Sequence, residues 1–211
     1  MPRALIERLQ KFRERHFLQH EARYRELASE GQHPSVLLVC CSDSRVMPHL
    51  LLDSMPGEVF VVRNAGNLVP PYEGGGGFHG TCASIEFAVG VLGVSDIVVC
   101  GHSHCGALRA LYRGVPEEAR HLARWLDLAR EAVLPVTESE EVLRRVEQRS
   151  VVLQIEHLLT YPMVRARHEK GELAVHGWHY VIESGEVNAL DADRQDFQAV
   201  PTAEAAIRTP F

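Results

Sequence analysis

The sequence predicts an α/β fold: a mostly parallel central sheet with an added antiparallel strand, helices on both faces and an N-terminal helical arm. Three observations predict it. Short apolar, β-branched runs at residues 35–40, 59–62 and 97–100 alternate with helical stretches, as strands buried on both faces of a parallel sheet do. The Glu183-Ser184-Gly185 turn folds residues 186–190 back as a hairpin partner of a weaker run at 173–181. The chain of 211 residues, 45% apolar, suits a single domain, residues 1–211, that buries about 70% of its unfolded surface.

The elements follow in order. Residues 4–28 place Leu5, Leu9, Phe12, Phe17, Tyr24 and Leu27 among Arg and Glu with a helical period and no Pro or Gly, so residues 1–30 read as an arm of one or two helices. The break Gly31-Gln32-His33-Pro34 precedes the first strand, Ser-Val-Leu-Leu-Val-Cys. Helical stretches follow at residues 83–92, 107–112, 117–133 and 138–159. The four glycines at 74–77 lack the Gly-x-Gly-x-x-Gly spacing and the Lys-Ser/Thr of a phosphate cradle, and read as a surface loop.

Charge and cysteine usage narrow the function. With 22 basic against 28 acidic side chains the net charge is −6, which provides no field for nucleic acid or anionic lipid. Expected partners are small molecules or other subunits, not nucleic acid and not a membrane. No run approaches the roughly 18 to 20 apolar residues of a membrane helix, and residues 1–17 lack the apolar centre of a signal peptide, so a cytoplasmic location is expected. Five cysteines, an odd number in a chain this long, point to metal binding or reactivity rather than a disulfide framework.

Ligands of open α/β sheets bind beyond the carboxyl ends of the strands, and two chemically loaded segments lie there. One is Cys41-Ser42-Asp43-Ser44-Arg45; the other is Gly101-His102-Ser103-His104-Cys105-Gly106. If the two strands are neighbours, Cys41, His102 and Cys105 gather two thiolates and one imidazole about a point. Three protein ligands with an open fourth position is the pattern of catalytic zinc. Cys and His after buried strands also occur as plain core residues, and Cys40, Cys82 and Cys100 read that way. Asp43 has two candidate roles: to close the fourth position, or to form a fork with Arg45 and leave that position to water.

These two segments resemble the signatures of the β-class carbonic anhydrases. Phe60-Val-Val-Arg-Asn-Ala-Gly-Asn67, Ser84-Ile-Glu-Phe-Ala88 and His176-Gly-Trp-His-Tyr180 resemble further segments of that family, in order. The resemblance implies a zinc enzyme, Zn2+ on Cys41, His102 and Cys105, that hydrates carbon dioxide reversibly to bicarbonate by zinc-bound hydroxide. It implies a homodimer or dimer of dimers; the arm is expected either to dock on a neighbouring subunit, as in relatives, or to fold back on its own domain. Asp43 and Arg45 would be catalytic, the carboxylate orienting the attacking hydroxide. The substrate pocket would comprise Phe60, Ala65 and Phe87, partly from the partner subunit, with the Gly106 N–H holding an anionic product. Gln32 matches the position at which the plant-like, open-site branch places a substrate-binding amide.

A bicarbonate site away from the metal, known in some bacterial members, would need a Trp where this chain has Leu38, although Arg63 and Tyr180 fit it. Such a site is therefore not expected. Because two thiolates cancel the charge of the ion, activity is expected to rise into the alkaline range. His104 is a candidate proton relay or a plain solvated loop residue. Two alternatives share the scaffold: a hydrolase of carbon disulfide or carbonyl sulfide, and a closed structural zinc homologue. A dinucleotide-binding domain fails because no glycine fingerprint follows the first strand.

Overall fold

The computed structural model describes residues 2–73 and 79–200; the glycines at 74–77 lie outside them. Its strands β1 (Val36–Cys41), β2 (Val59–Asn64), β3 (Asp96–His102), β4 (Ala174–Val181), β5 (Glu186–Asp191) and β6 (Asp196–Ala199) form one sheet in the order β2-β1-β3-β4-β5-β6. The first four run parallel, and β5 and β6 are antiparallel additions. The hairpin closes through the expected turn, Val181 opposite Glu186. β6 is one antiparallel strand more than expected; its half-polar Asp-Phe-Gln-Ala on the sheet rim carries no apolar run to announce it.

Two strands are longer than their apolar runs. Cys41 and His102 are the final residues of β1 and β3 rather than residues of the loops beyond them. The apolar pattern stops at Cys100, but the ladder continues because Gly101 pairs with His179 and His102 with Tyr180. A strand rises about 3.3 Å per residue, so ending one inside the ladder fixes its last side chain as firmly as the sheet itself.

The arm is α1 (Arg3–Phe12), continued by a π-helical turn (Arg13–Phe17), and α2 (Glu21–Glu30). Its elbow packs Phe17 on Tyr24, ring centroids 5.2 Å apart. No residue of α1 is buried, and Leu5, Ile6, Leu9 and Phe12 are all exposed. The short α3 (Pro48–Leu51) and α8 (Pro162–Glu169) each begin with a Pro, which suits a first helical turn where the N–H is unpaired anyway. Neither has a pattern long enough to read from sequence.

Between them come α4 (Gly80–Glu86) with its π-helical extension Phe87–Leu92, α5 (Gly106–Arg113), α6 (Arg120–Leu126) with a 3-10 extension Asp127–Ala132, and α7 (Glu140–Leu158). Ser139 caps α7, its Oγ accepting the Val142 N–H at 3.2 Å.

Alternation along the strands sorts the core into layers. Leu37, Val39, Ile97, Val99 and Val175 pack against Ile85, Val151, Ile155, Leu158 and Val164 from α4, α7 and α8. Each such fully buried aliphatic contributes about 1.5–3 kcal/mol. Leu38, Cys40, Val98 and Cys100 turn to the other face, with Val46, Trp178 and Tyr180 and the thinner cover of α3 and its loop. A further cluster joins Cys41, Leu68, Cys105, Leu108, Leu126 and Val146 at the carboxyl end of the sheet. α7 lies close on the sheet because Gly101 and Gly177 have no side chains; a Cβ on Gly101 would come within 2.7 Å of Val151 Cγ2.

Candidate metal centre

β1 and β3 are direct neighbours, so their ends deliver Cys41 and His102 side by side. Cys105 reaches them after a tight reversal in which His104 adopts φ 56°, and it then caps α5. The two sulfurs and an imidazole nitrogen all lie within 4.8 Å of one another, in a group able to hold a metal ion. All three residues are buried.

The donor chemistry fits zinc. His102 Nδ1 donates to the Ser103 carbonyl at 2.9 Å, leaving the Nε2 lone pair facing the sulfurs with no hydrogen-bond partner, although it is fully buried. A ring fixed at one nitrogen and orphaned at the other is how metal-ligating histidines are held. Cys41 Sγ accepts the peptide N–H of Asp43 and of Gly66, each at 3.4 Å. The contact with Cys105 pulls the Cys41 thiol well below its ordinary range, with His102 and the two N–H groups adding to it against burial. Cys105 is pushed the other way, as two thiols sharing one proton must be. Cys40 and Cys100 are buried core residues and Cys82 is half-buried; burial raises the Cys40 thiol to about 11.

Asp43 and Arg45 make the fork. Arg45 Nε donates to Oδ1 at 2.9 Å and Nη2 to Oδ2 at 2.8 Å, while the Arg45 N–H adds a third bond to Oδ1. The guanidinium holds the carboxyl far below the usual carboxylate range. Arg45 Nη2 also donates to the His104 carbonyl at 3.0 Å, tying the two ligand loops together. Asp43 Oδ2 stands 4.0 Å from His102 Nε2.

Arg63, a residue that would fit a bicarbonate site, bonds instead to the loop after β1. Its Nε and Nη2 donate to the carbonyls of Cys41, Asp43 and Val46 at 2.8–3.0 Å, clamping the whole loop that carries Cys41 and the fork. Leu38, where that site would need a Trp, is fully buried. Ser103 and Glu183 were not singled out from the sequence. Ser103 Oγ donates to Glu183 at 2.6 Å and accepts the Ile182 N–H, so the tip of the β4–β5 hairpin braces the second ligand loop. A serine between two histidines offers no signal for that role.

The family model for carbonic anhydrase matches residues 36–187. A solved β-carbonic anhydrase, CcaA, superposes with a TM-score of 0.88 at 40% identity, over 98% of this chain and 93% of that one. This chain belongs to the β-carbonic anhydrase family. The carbonic anhydrase of Synechocystis sp. is 42% identical over 203 residues, covering 92% of this chain and 73% of that protein. That of Pseudomonas aeruginosa is 43% identical over 180 residues, 82% and 80% of the two chains. A structure described among two tetrameric β-carbonic anhydrases of Sordaria macrospora superposes at 0.77 with 30% identity, over 89% of this chain and 95% of that one.

Within this β-carbonic anhydrase the remaining expected site residues fall in two groups. Ala65 and Gly106 lie at the metal end. The Ala65 carbonyl accepts Trp125 Nε1–H at 2.7 Å beside a cavity of about 730 Å³ that His79 and His121 also line, and Gly106 opens α5, exposed, directly after Cys105. Gln32, Phe60 and Phe87 lie elsewhere. Phe60 packs on Phe87 with centroids 5.9 Å apart, and it pairs in register with Leu37, four residues before Cys41, which sets it about 13 Å away along the strand. Gln32 is exposed before the amino end of β1, the opposite end of the sheet from the metal group. A single chain does not bring these three to its own Cys41.

Proposed function

We infer that this protein catalyses the reversible hydration of carbon dioxide to bicarbonate and a proton, with zinc held by Cys41, His102 and Cys105. The observation that carries the reading is the buried Nε2 of His102, unpartnered and facing two sulfurs. A buried polar atom without a partner costs about 1–3 kcal/mol, and a metal ion removes that cost. Zinc, when bound there, supplies the Lewis acidity that lets water lose a proton near neutral pH.

The chain's own residues orient the reaction. Asp43 would accept the hydrogen bond of the attacking water, because Arg45 keeps it ionised and engages both its oxygens. The fork supports the open arrangement over a closed structural zinc site. Ala65 lies beside the reacting centre, and the Gly106 N–H at the start of α5 receives the anionic product. Gln32, Phe60 and Phe87 act on the metal of a second copy, since their own lies at the far end of the sheet. A homodimer or dimer of dimers therefore forms the working unit, supported by the exposed apolar side of α1. Residues 1–211 act as one domain with residues 1–30 as its arm. Among the described residues no helix is long and apolar enough to cross a membrane, and we place the protein in the cytoplasm.

The test is elemental analysis of purified protein together with stopped-flow hydration of carbon dioxide. One zinc per chain and inhibitor-sensitive turnover are expected. Zinc without turnover would favour a closed structural site. Faster turnover of carbonyl sulfide or carbon disulfide than of carbon dioxide would move the reading to the sulfur hydrolase.

A further inference from the structure

Against the Cys105 peptide lies a buried carboxyl–imidazole pair, Glu147 and His179, that the hydration chemistry leaves unused. Glu147 sits on the sheet-facing side of α7, 1% exposed, among Leu143, Val146 and Val151. Its Oε1 accepts the peptide N–H of Cys105 at 2.9 Å, and its Oε2 receives Nε2–H of His179 at 3.0 Å. His179, on β4, is fully buried; Phe197 of β6 meets its ring edge-on at 6.4 Å, and its Nδ1 has no hydrogen-bond partner.

Burying a carboxylate in an apolar layer is unfavourable by several kcal/mol unless its oxygens are engaged. Leu or Met at this helix position would fill the same volume without that cost. The placement therefore calls for a role other than packing. The Cys105 peptide is the point at which the chain turns from β3 into α5, and its N–H precedes the first turn of that helix, so no helical carbonyl is available to it. Glu147 is the acceptor that fixes this peptide plane, and the peptide plane sets the direction of the Cys105 Cα–Cβ bond.

We propose that Glu147, oriented by His179, is a positioning residue that holds the Cys105 sulfur in place for the metal. The arrangement parallels the one on the other side of the site, where the Ser103 carbonyl orients the His102 ring. Outer partners of this kind set metal affinity by about 10- to 100-fold. The proposal rests on Cys105 being a zinc ligand.

The experiment measures zinc affinity by chelator competition, the rise in Tm that saturating zinc produces, and the thiolate-to-cobalt absorption of cobalt-loaded protein. It uses wild type, Glu147→Leu, Glu147→Gln, His179→Leu and His179→Gln. Glu147→Leu is expected to weaken zinc binding about 10- to 100-fold, shrink the zinc-dependent rise in Tm and alter the cobalt absorption. Glu147→Gln, which keeps an oxygen for the Cys105 N–H, should recover most of the affinity. His179→Leu should fall between them, and His179→Gln, which keeps a donor near the Nε2 position, should recover. A purely structural role would lower the Tm of zinc-free and zinc-loaded protein equally and leave affinity within about threefold of wild type, which would overturn the proposal. Equal losses in the Leu and Gln variants at 147 would overturn it too. If Glu147→Leu does not fold, the two His179 variants decide by the same criteria. Wild-type protein that binds no zinc would instead remove the metal reading, and this proposal with it.

Discussion

At the scale of single residues the proposed function divides labour between side chains that would hold the metal and one that would handle the proton. Cys41→Ala is expected to abolish stoichiometric zinc, read by elemental analysis, because two ligands cannot complete the group. Asp43→Ala should retain zinc yet lose roughly 10²- to 10⁴-fold in kcat, the range a positioned proton acceptor contributes. Arg45→Lys should lose much of the same activity, since an ammonium cannot make the two parallel bonds of a guanidinium. The pH dependence follows from which group is already ionised. Arg45 lowers the Asp43 pKa, so the fork is fully made above the ordinary carboxylate range and is lost only as pH falls well below it. Titration of Asp43 therefore cannot produce a rise above neutrality. Turnover that nevertheless climbs from pH 7 to 9 is expected, because a thiolate-rich ligand set confers less acidity on water than three imidazoles do. A hydration rate already flat below pH 7 would contradict this.

Elements position these groups by ending where the chemistry begins. β1 and β3 stop on their ligands, and α7 presses on the sheet through the gaps left by Gly101 and Gly177. Gly101→Ala would drive a methyl group into Val151, a β-branched residue on a helix with one preferred rotamer. A stability loss of about 1–3 kcal/mol by urea unfolding is expected, together with weaker zinc retention, since the next residue is His102. The β4–β5 hairpin braces the second ligand loop through Glu183. The Ser103 hydroxyl, the Glu183 peptide N–H, Arg144 and His104 lower its pKa to about 2. A depressed carboxylate stabilises the fold above its unfolded value, near 4.3, and that contribution fades as pH falls toward 2. Glu183→Gln should flatten the dependence of the urea midpoint on pH between 4.5 and 2 without steepening it elsewhere.

On the proposed reading the substrate pocket is completed only at the scale of the whole molecule, by a second copy. Phe87, 42% exposed, packs on the half-buried Phe60 of β2, the edge strand, and α1 carries a row of uncovered Leu, Ile and Phe. Deleting residues 1–17, none of which is buried among those described, should leave the sheet folded by circular dichroism. It should also shift the protein toward smaller species in light scattering and lower kcat/KM at low protein concentration. Unchanged turnover by a verified monomer would show that Gln32, Phe60 and Phe87 are not needed from a second copy.

Much of this was legible from residues alone. The β-branched runs marked β1 to β3, and the Glu-Ser-Gly turn marked the β4–β5 hairpin. Cys41, Asp43, Arg45, His102 and Cys105 stood out because reactive side chains clustered where buried strands ended, and short-range pattern determines both strand identity and motif spacing. Some features left no such mark. The strand ends at Cys41 and His102 depend on ladder partners in β2 and β4, and the hold of Arg63 on the Cys41 loop depends on three carbonyls distant in sequence. The Glu147–His179 contact joins α7 to β4 across 32 positions of sequence. Such hydrogen bonds and close approaches arise between segments distant along the chain, and no local periodicity encodes the partner; it exists once the layers have packed.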